Sequence, residues 1–235
     1  MRRSRLGLQH HQAGLPEAGL QVGDRLDATH PGSGVILTHE KPVIERQRWL
    51  IRHGESAANA GAATSDPASI PLSEAGWAQA SLIAGAFPHR SDLIVVSPFL
   101  RTRQTAEPTR NRFPDVPVET WPVQEFTYLS PNRCIGTTAA QRRPLVEAYW
   151  RRGDPEYIDE PGAESFSAML QRVRQMRERL AVHPTAFIAV FTHGQVMQAC
   201  RLLEAHPDWD DRALMAAFPA ADRDSPIRNG EILRM

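Results

Sequence analysis

Three short apolar runs, each broken off by polar residues, constrain this chain more than any other feature. They are Trp49-Leu50-Ile51 before Arg52-His53-Gly54, Leu93 to Val96 before Ser97-Pro98, and Phe187 to Phe191 before Thr192-His193-Gly194. Continuous apolar runs without alternation suit strands covered on both faces, the setting of a parallel sheet between helices. Helical periodicity fills the intervals. Ser73 stands as an N-cap before Gly76, Ala80, Ile83, Ala84 and Phe87, which share a face. Pro98 stops the second run, and Phe99 to Thr109 begins another helix. From Phe166 onward, Met169, Leu170, Val173, Met176 and Leu180 fall together. A further extended segment is predicted at Val116 to Glu119, and the stretch from Trp49 to Asn59 is expected to end by starting a helix, with Glu55 and Ser56 capping or supporting the helix after the loop. The alternation predicts an α/β fold, a mostly parallel central sheet flanked by helices.

Two regions break the pattern. Residues 1–47 are expected to be an N-terminal extension, either partly disordered, with His10-His11 in a loosely attached leader, or a small added hairpin with a run at Val35 to Thr38. Residues 127–162 mix Pro, Gly, Arg and aromatics, and read as a helical or irregular insertion over the site, with one helix around Pro144 to Arg151. The main domain is expected over 48–235.

Charge narrows the classes of partner. Twenty-seven basic residues balance 27 acidic ones, so no overall field favours nucleic acid or an anionic membrane, and any anion site must be local. The arginines between Arg172 and Arg179 lie largely off the apolar face of their helix, which makes them a solvated face. No stretch has the length of a membrane span or the apolar core of a secretory signal, and a cytoplasmic location is the expectation. Cys134 and Cys200 form neither a disulfide framework nor a metal cluster. Nothing in the residues indicates an oligomeric state.

In a parallel sheet the carboxyl ends of the strands share one edge, so the three junctions are expected to converge there. Two histidines and two arginines, Arg52 and Arg101, beside helix N-termini make a site for a dianion, with phosphate the obvious candidate.

With "RHGESAAN" at 52–59, "PLSEAGWAQA" at 71–80, "SPFLRTRQTA" at 97–106, Glu125 in "VQEF" and "FTHG" at 191–194, the chain resembles the histidine phosphatase superfamily, also called phosphoglycerate mutase-like. The resemblance runs from residue 48 to about 203. It implies that His53 is the nucleophile, forming a phosphohistidine, and that Arg52, Arg101 and His193 clamp the phosphoryl group with Asn59 as an additional contact. Glu125 matches the proton donor, with Glu119 and Glu164 as nearby substitutes. Arg103 is read as surface or helix packing, while Tyr128, Arg133, Arg142 and Arg143 in the insertion are either substrate-shaping or structural. No metal and no cofactor are implied.

The activity implied is a metal-independent phosphomonoester hydrolase of the histidine acid phosphatase type. Its partner would be a small phosphorylated substrate or a phosphoprotein. The alternatives are phosphoryl transfer of the phosphoglycerate mutase type and a non-catalytic phosphate-ligand or interaction module. Residues 127–162 contain no lysine, whereas cofactor-dependent mutases carry a lysine-bearing segment there, which favours hydrolysis.

Overall fold

The computed structural model describes residues 46–64 and 66–235. The predicted hairpin near Val35 to Thr38 lies outside the described residues. Twelve elements follow in chain order: β1 (Gln47–Arg52), α1 (Glu74–Ala86), β2 (Leu93–Val96), α2 (Leu100–Arg112), β3 (Val118–Thr120), α3 (Pro131–Cys134), α4 (Ala139–Arg152), α5 (Phe166–Val182), β4 (Phe187–Thr192), α6 (Gly194–Ala205), α7 (Asp211–Asp224) and β5 (Ile232–Arg234). The sheet order is β3-β2-β4-β1-β5. The first four strands of that order run parallel, and β5 pairs antiparallel with β1 at the edge.

The three apolar runs are the three central strands, and strand pleating divides their side chains between two cores. Trp49, Ile51, Ile94, Val96, Phe187, Ala189 and Phe191 pack with Ile83 and Phe87 of the α1 region and Ala106 of α2. Leu50, Leu93, Val95, Ile188 and Val190 face the other way, onto residues of α5, α6 and α7. Covered on both faces, these strands had no use for alternation.

The α1 and α5 faces form as their periodicity predicts. Ser73 Oγ accepts the Gly76 amide, and Gly76, Ala80, Ile83 and Ala84 are buried. Phe166, Met169, Leu170, Val173, Met176 and Leu180 are buried on α5, while Arg172, Arg174 and Arg179 pair with Glu164, Asp211 and Glu119.

Several expectations are corrected. Residues 57–61 form turns rather than a helix, because Asn59 Oδ1 accepts both the Ser56 amide and the Ser56 hydroxyl and folds the segment onto itself. The next helix is α1, and Glu55 supports it by accepting the Ser73 hydroxyl at 2.7 Å. The segment expected at Val116 to Glu119 pairs later, at Val118–Thr120. The helix in the insertion starts at Ala139, earlier than Pro144, because Thr138 and Gln141 form a capping box upstream of the proline. Among the described residues, no helix is long and apolar enough to cross a membrane.

Candidate active site

Register places the two histidines side by side. Arg52 and Thr192 are direct partners on adjacent parallel strands, so the next residues, His53 and His193, leave the sheet together. Their ring centroids lie 5.1 Å apart. β2 flanks β4 on the other side, with Val96 opposite Phe191, which brings Ser97 Oγ to 2.8 Å from His193 Nε2. The expected convergence of the three junctions is thus present, along the carboxyl edge of β1, β4 and β2.

His53 is buried, and its neighbours fix its proton. Nδ1 lies 2.6 Å from the Gly54 carbonyl oxygen, which can only accept, so Nδ1 carries the hydrogen. Nε2 is left with its lone pair and accepts Arg101 Nε at 3.0 Å. Burial, then the Arg101 charge, hold the imidazole pKa well below its ordinary 6.5, so the ring is neutral. His193 is depressed in the same direction, by burial first and then by Arg101. Its Nδ1 is buried and has no partner among the described residues.

The loop that holds His53 is packed backbone against backbone. A Cβ on Gly76 of α1 would meet the Glu55 carbonyl oxygen at 2.0 Å, and one on Gly54 would meet the Gly76 carbonyl oxygen at 2.5 Å. The two glycines therefore let the first turn of α1 press directly on the loop. Thr105 of α2 adds a bond from the other side, accepting the Gly54 amide at 3.0 Å.

Both arginines are anchored. Arg101 donates from Nη1 to the Pro67 carbonyl at 2.8 Å, and its guanidinium lies 4.9 Å from the Phe99 ring centroid. Arg52 donates to the Ile227 carbonyl, and its buried Nε has no partner among the described residues. Gly194 makes room for it, since a Cβ there would sit 3.2 Å from Arg52 Nε.

Of the three candidate acids, only Glu125 lines the cavity that contains Arg52, His53, Asn59 and Arg101, a space of about 320 Å³. Glu119 is taken by Trp121 Nε1 and Arg179, and Glu164 by Arg172 and the Thr127 amide. Glu125 Oε1 accepts the Gln195 amide at 3.2 Å, in the first turn of α6. Burial pushes the carboxyl above its usual range against the pull of Arg101 and Arg52. Tyr128 and Arg142 line the same cavity, whereas Arg133 pairs with Asp159, and Arg103 and Arg143 are exposed.

One contributor had no signal in the sequence. Asn229, in the turn before β5, donates from Nδ2 to the His53 carbonyl at 3.1 Å and to Asn59 Oδ1 at 3.2 Å. With Ser56 donating to the same oxygen, Asn59 Nδ2 is left on the side away from these donors.

His53, Glu125 and His193 also offer ligand atoms within 4.8 Å of one another. A cation there would face Arg52 and Arg101, and His53 Nε2 already accepts a guanidinium hydrogen. The charge arrangement favours an anion.

The family model of the histidine phosphatase superfamily (branch 1) matches residues 48–214. The bifunctional protein Rv2228c of Mycobacterium tuberculosis is 30% identical over 148 residues, 61% of this chain and 40% of that protein. The chain thus spans 40% of the length of the curated relatives it matches. Among solved structures, a putative alpha-ribazole-5'-P phosphatase from Escherichia coli is 26% identical, with a TM-score of 0.54 over 73% of this chain and 83% of that one. The alpha-ribazole phosphatase of Shigella flexneri shares the fold at 22% identity, with a TM-score of 0.61 over 80% and 89% of the two chains.

Proposed function

Since the chain belongs to the histidine phosphatase superfamily (branch 1), we propose that it hydrolyses phosphomonoesters through a phosphohistidine on His53. The observation that carries this reading is the state of His53: neutral, its Nδ1 hydrogen held by Gly54, its Nε2 lone pair accepting from Arg101, with Arg52 lining the same cavity.

An entering phosphoryl group draws the Arg101 Nε hydrogen to one of its oxygens and frees the lone pair for attack. His53 Nε2 bonds to phosphorus as the bond to the leaving alcohol breaks. Protonated Glu125 gives its hydrogen to that alcohol oxygen. Arg52, Arg101, His193 and Asn59 hold the remaining oxygens as charge redistributes. Water then attacks phosphohistidine, Glu125 takes its proton, and inorganic phosphate leaves. Every step uses side chains of this protein, with no metal or cofactor. A space of about 320 Å³ suits a small phosphorylated metabolite better than a protein segment.

The test is turnover of p-nitrophenyl phosphate in the presence of chelator, for wild type and His53→Ala. Wild type turns over and, quenched in acid after labelled substrate, carries acid-labile phosphate; His53→Ala does neither. Turnover surviving the substitution would remove His53 from the nucleophile's place.

A further inference from the structure

Beside the cavity that contains His53 lies a second, larger space of about 520 Å³. Pro67, Phe99 and Thr127 line both, so the two share a wall. That wall is tied to the site itself, because Arg101 donates to the Pro67 carbonyl and packs on the Phe99 ring. Its far side is built by the segment after β3, including Trp121 and Gln124, and by the insertion, where Gly162 closes on Pro131.

Its chemistry differs from that of the phosphate site. Asp66 is the one charged residue on its lining, and that carboxylate already accepts the Ala68 amide. No arginine or histidine lines it. The rest is proline, aromatic ring, threonine and amide, with the small residues Ala68 and Gly162, surfaces that stack against a ring and bond to hydroxyls without compensating charge. The buried Gln124 Oε1 has no partner among the described residues, and a buried acceptor of this kind calls for a donor. The opposite rim of the phosphate cavity offers less, since Arg142 Nη1 is already committed to the Thr137 carbonyl at 2.6 Å and hydroxyl at 2.9 Å.

We propose that this groove receives the leaving alcohol, and that the alcohol is a bulky, uncharged, hydroxylated ring, a sugar or a nucleoside, rather than a short anionic chain. The inference rests on the phosphomonoesterase reading above and adds the substrate class to it. The phosphoryl group occupies the cavity at His53, the ester oxygen crosses at Phe99 and Thr127, and the ring lies along the groove with a hydroxyl or N–H donated to Gln124.

The test compares kcat/KM of wild type, Ala68→Trp and Gln124→Ala on four esters: a hexose 6-phosphate, a ribonucleoside 5'-monophosphate, glycerol 3-phosphate and 3-phosphoglycerate. Ala68 lies on the groove lining and not on that of the phosphate cavity, so an indole there fills the groove alone. Wild type is expected to favour at least one ring ester over both short esters by about tenfold or more. Which ring ester leads separates sugar from nucleoside. Ala68→Trp erases that preference while leaving glycerol 3-phosphate within about twofold of wild type, and Gln124→Ala raises KM for the ring ester more than it lowers kcat. A wild type that prefers 3-phosphoglycerate, or an Ala68→Trp that slows all four equally with an unchanged melting temperature, overturns the assignment. If neither these esters nor p-nitrophenyl phosphate is turned over, the phosphatase reading fails, and the groove is judged by saturation-transfer NMR with the free ribonucleoside and free hexose; turnover of p-nitrophenyl phosphate with none of the four esters overturns the groove assignment alone. A signal abolished by Ala68→Trp then supports the groove, and no signal from either overturns it.

Discussion

His53 and Glu125 are shifted in opposite directions by the same burial, and that opposition sets the pH range of the proposed reaction. The imidazole stays neutral to well below 6.5, and the carboxyl stays protonated above its ordinary range. kcat/KM should therefore fall on the alkaline side as Glu125 loses its proton and on the acid side as His53 gains one. In Glu125→Gln the alkaline limb should vanish, with esters of poor leaving alcohols slowed most. Equal slowing across leaving groups in a pH-rate series would remove Glu125 as the acid. Asn229 gives a second prediction: Asn229→Ala frees the His53 carbonyl and Asn59 from one donor, and should cost about 10- to 100-fold in kcat/KM on p-nitrophenyl phosphate. A melting temperature close to that of wild type would assign the loss to positioning; an unchanged rate would show that Ser56 alone orients Asn59. Resemblance could point to His53, Arg52, Arg101 and His193, because each sits in a dense motif. A single asparagine in a turn, bonded across 176 positions to His53, leaves no local trace.

At the scale of elements, legibility followed the length of the periodic signal. α1 and α5 were readable because their buried residues recur over more than two turns. α7 buries only Leu214, Met215 and Phe218 and carries Pro219 inside it, and β5 is a three-residue edge strand, so neither rises above the background of short apolar clusters. The contact between α1 and the His53 loop carries its own prediction. Gly76→Ala puts a methyl carbon 2.0 Å from the Glu55 carbonyl oxygen, and backbone cannot rotate away as a side chain does. Denaturant unfolding should show a loss of about 3 kcal/mol or more, above the ordinary cost of overpacking. Gly85→Ala, in the same helix with nothing within 4 Å of its added carbon, should be neutral or slightly stabilising. Equal effects of the two substitutions would show that α1 does not bear on the loop.

For the whole molecule, two neutral histidines buried side by side make stability depend on pH. Both have folded pKa values below the unfolded 6.5, so their contribution is fully present above that value and is lost as pH falls through the folded values. Glu125 has the opposite sign: its contribution is present below the ordinary 4.5 and is lost as pH rises through its raised value. Thermal melts should thus weaken as pH drops from 7 toward 5, and His193→Asn should flatten that slope whatever its effect at pH 7. A slope unchanged in the variant would trace acid sensitivity to other groups. The last strand adds a consequence of another kind. Arg52 and His53 are bonded through their backbone to Glu231, Gly230 and Asn229, and β5 covers the edge of β1. A ribosome-bound chain that has made every motif residue through His193 still lacks these partners, so the loop of the proposed nucleophile takes its final shape only when the closing turn has emerged. The amide proton of Arg52, whose acceptor is the Glu231 carbonyl, should exchange rapidly in such a stalled chain and become slow once β5 has paired, whereas that of His53 is held by Thr192 in both.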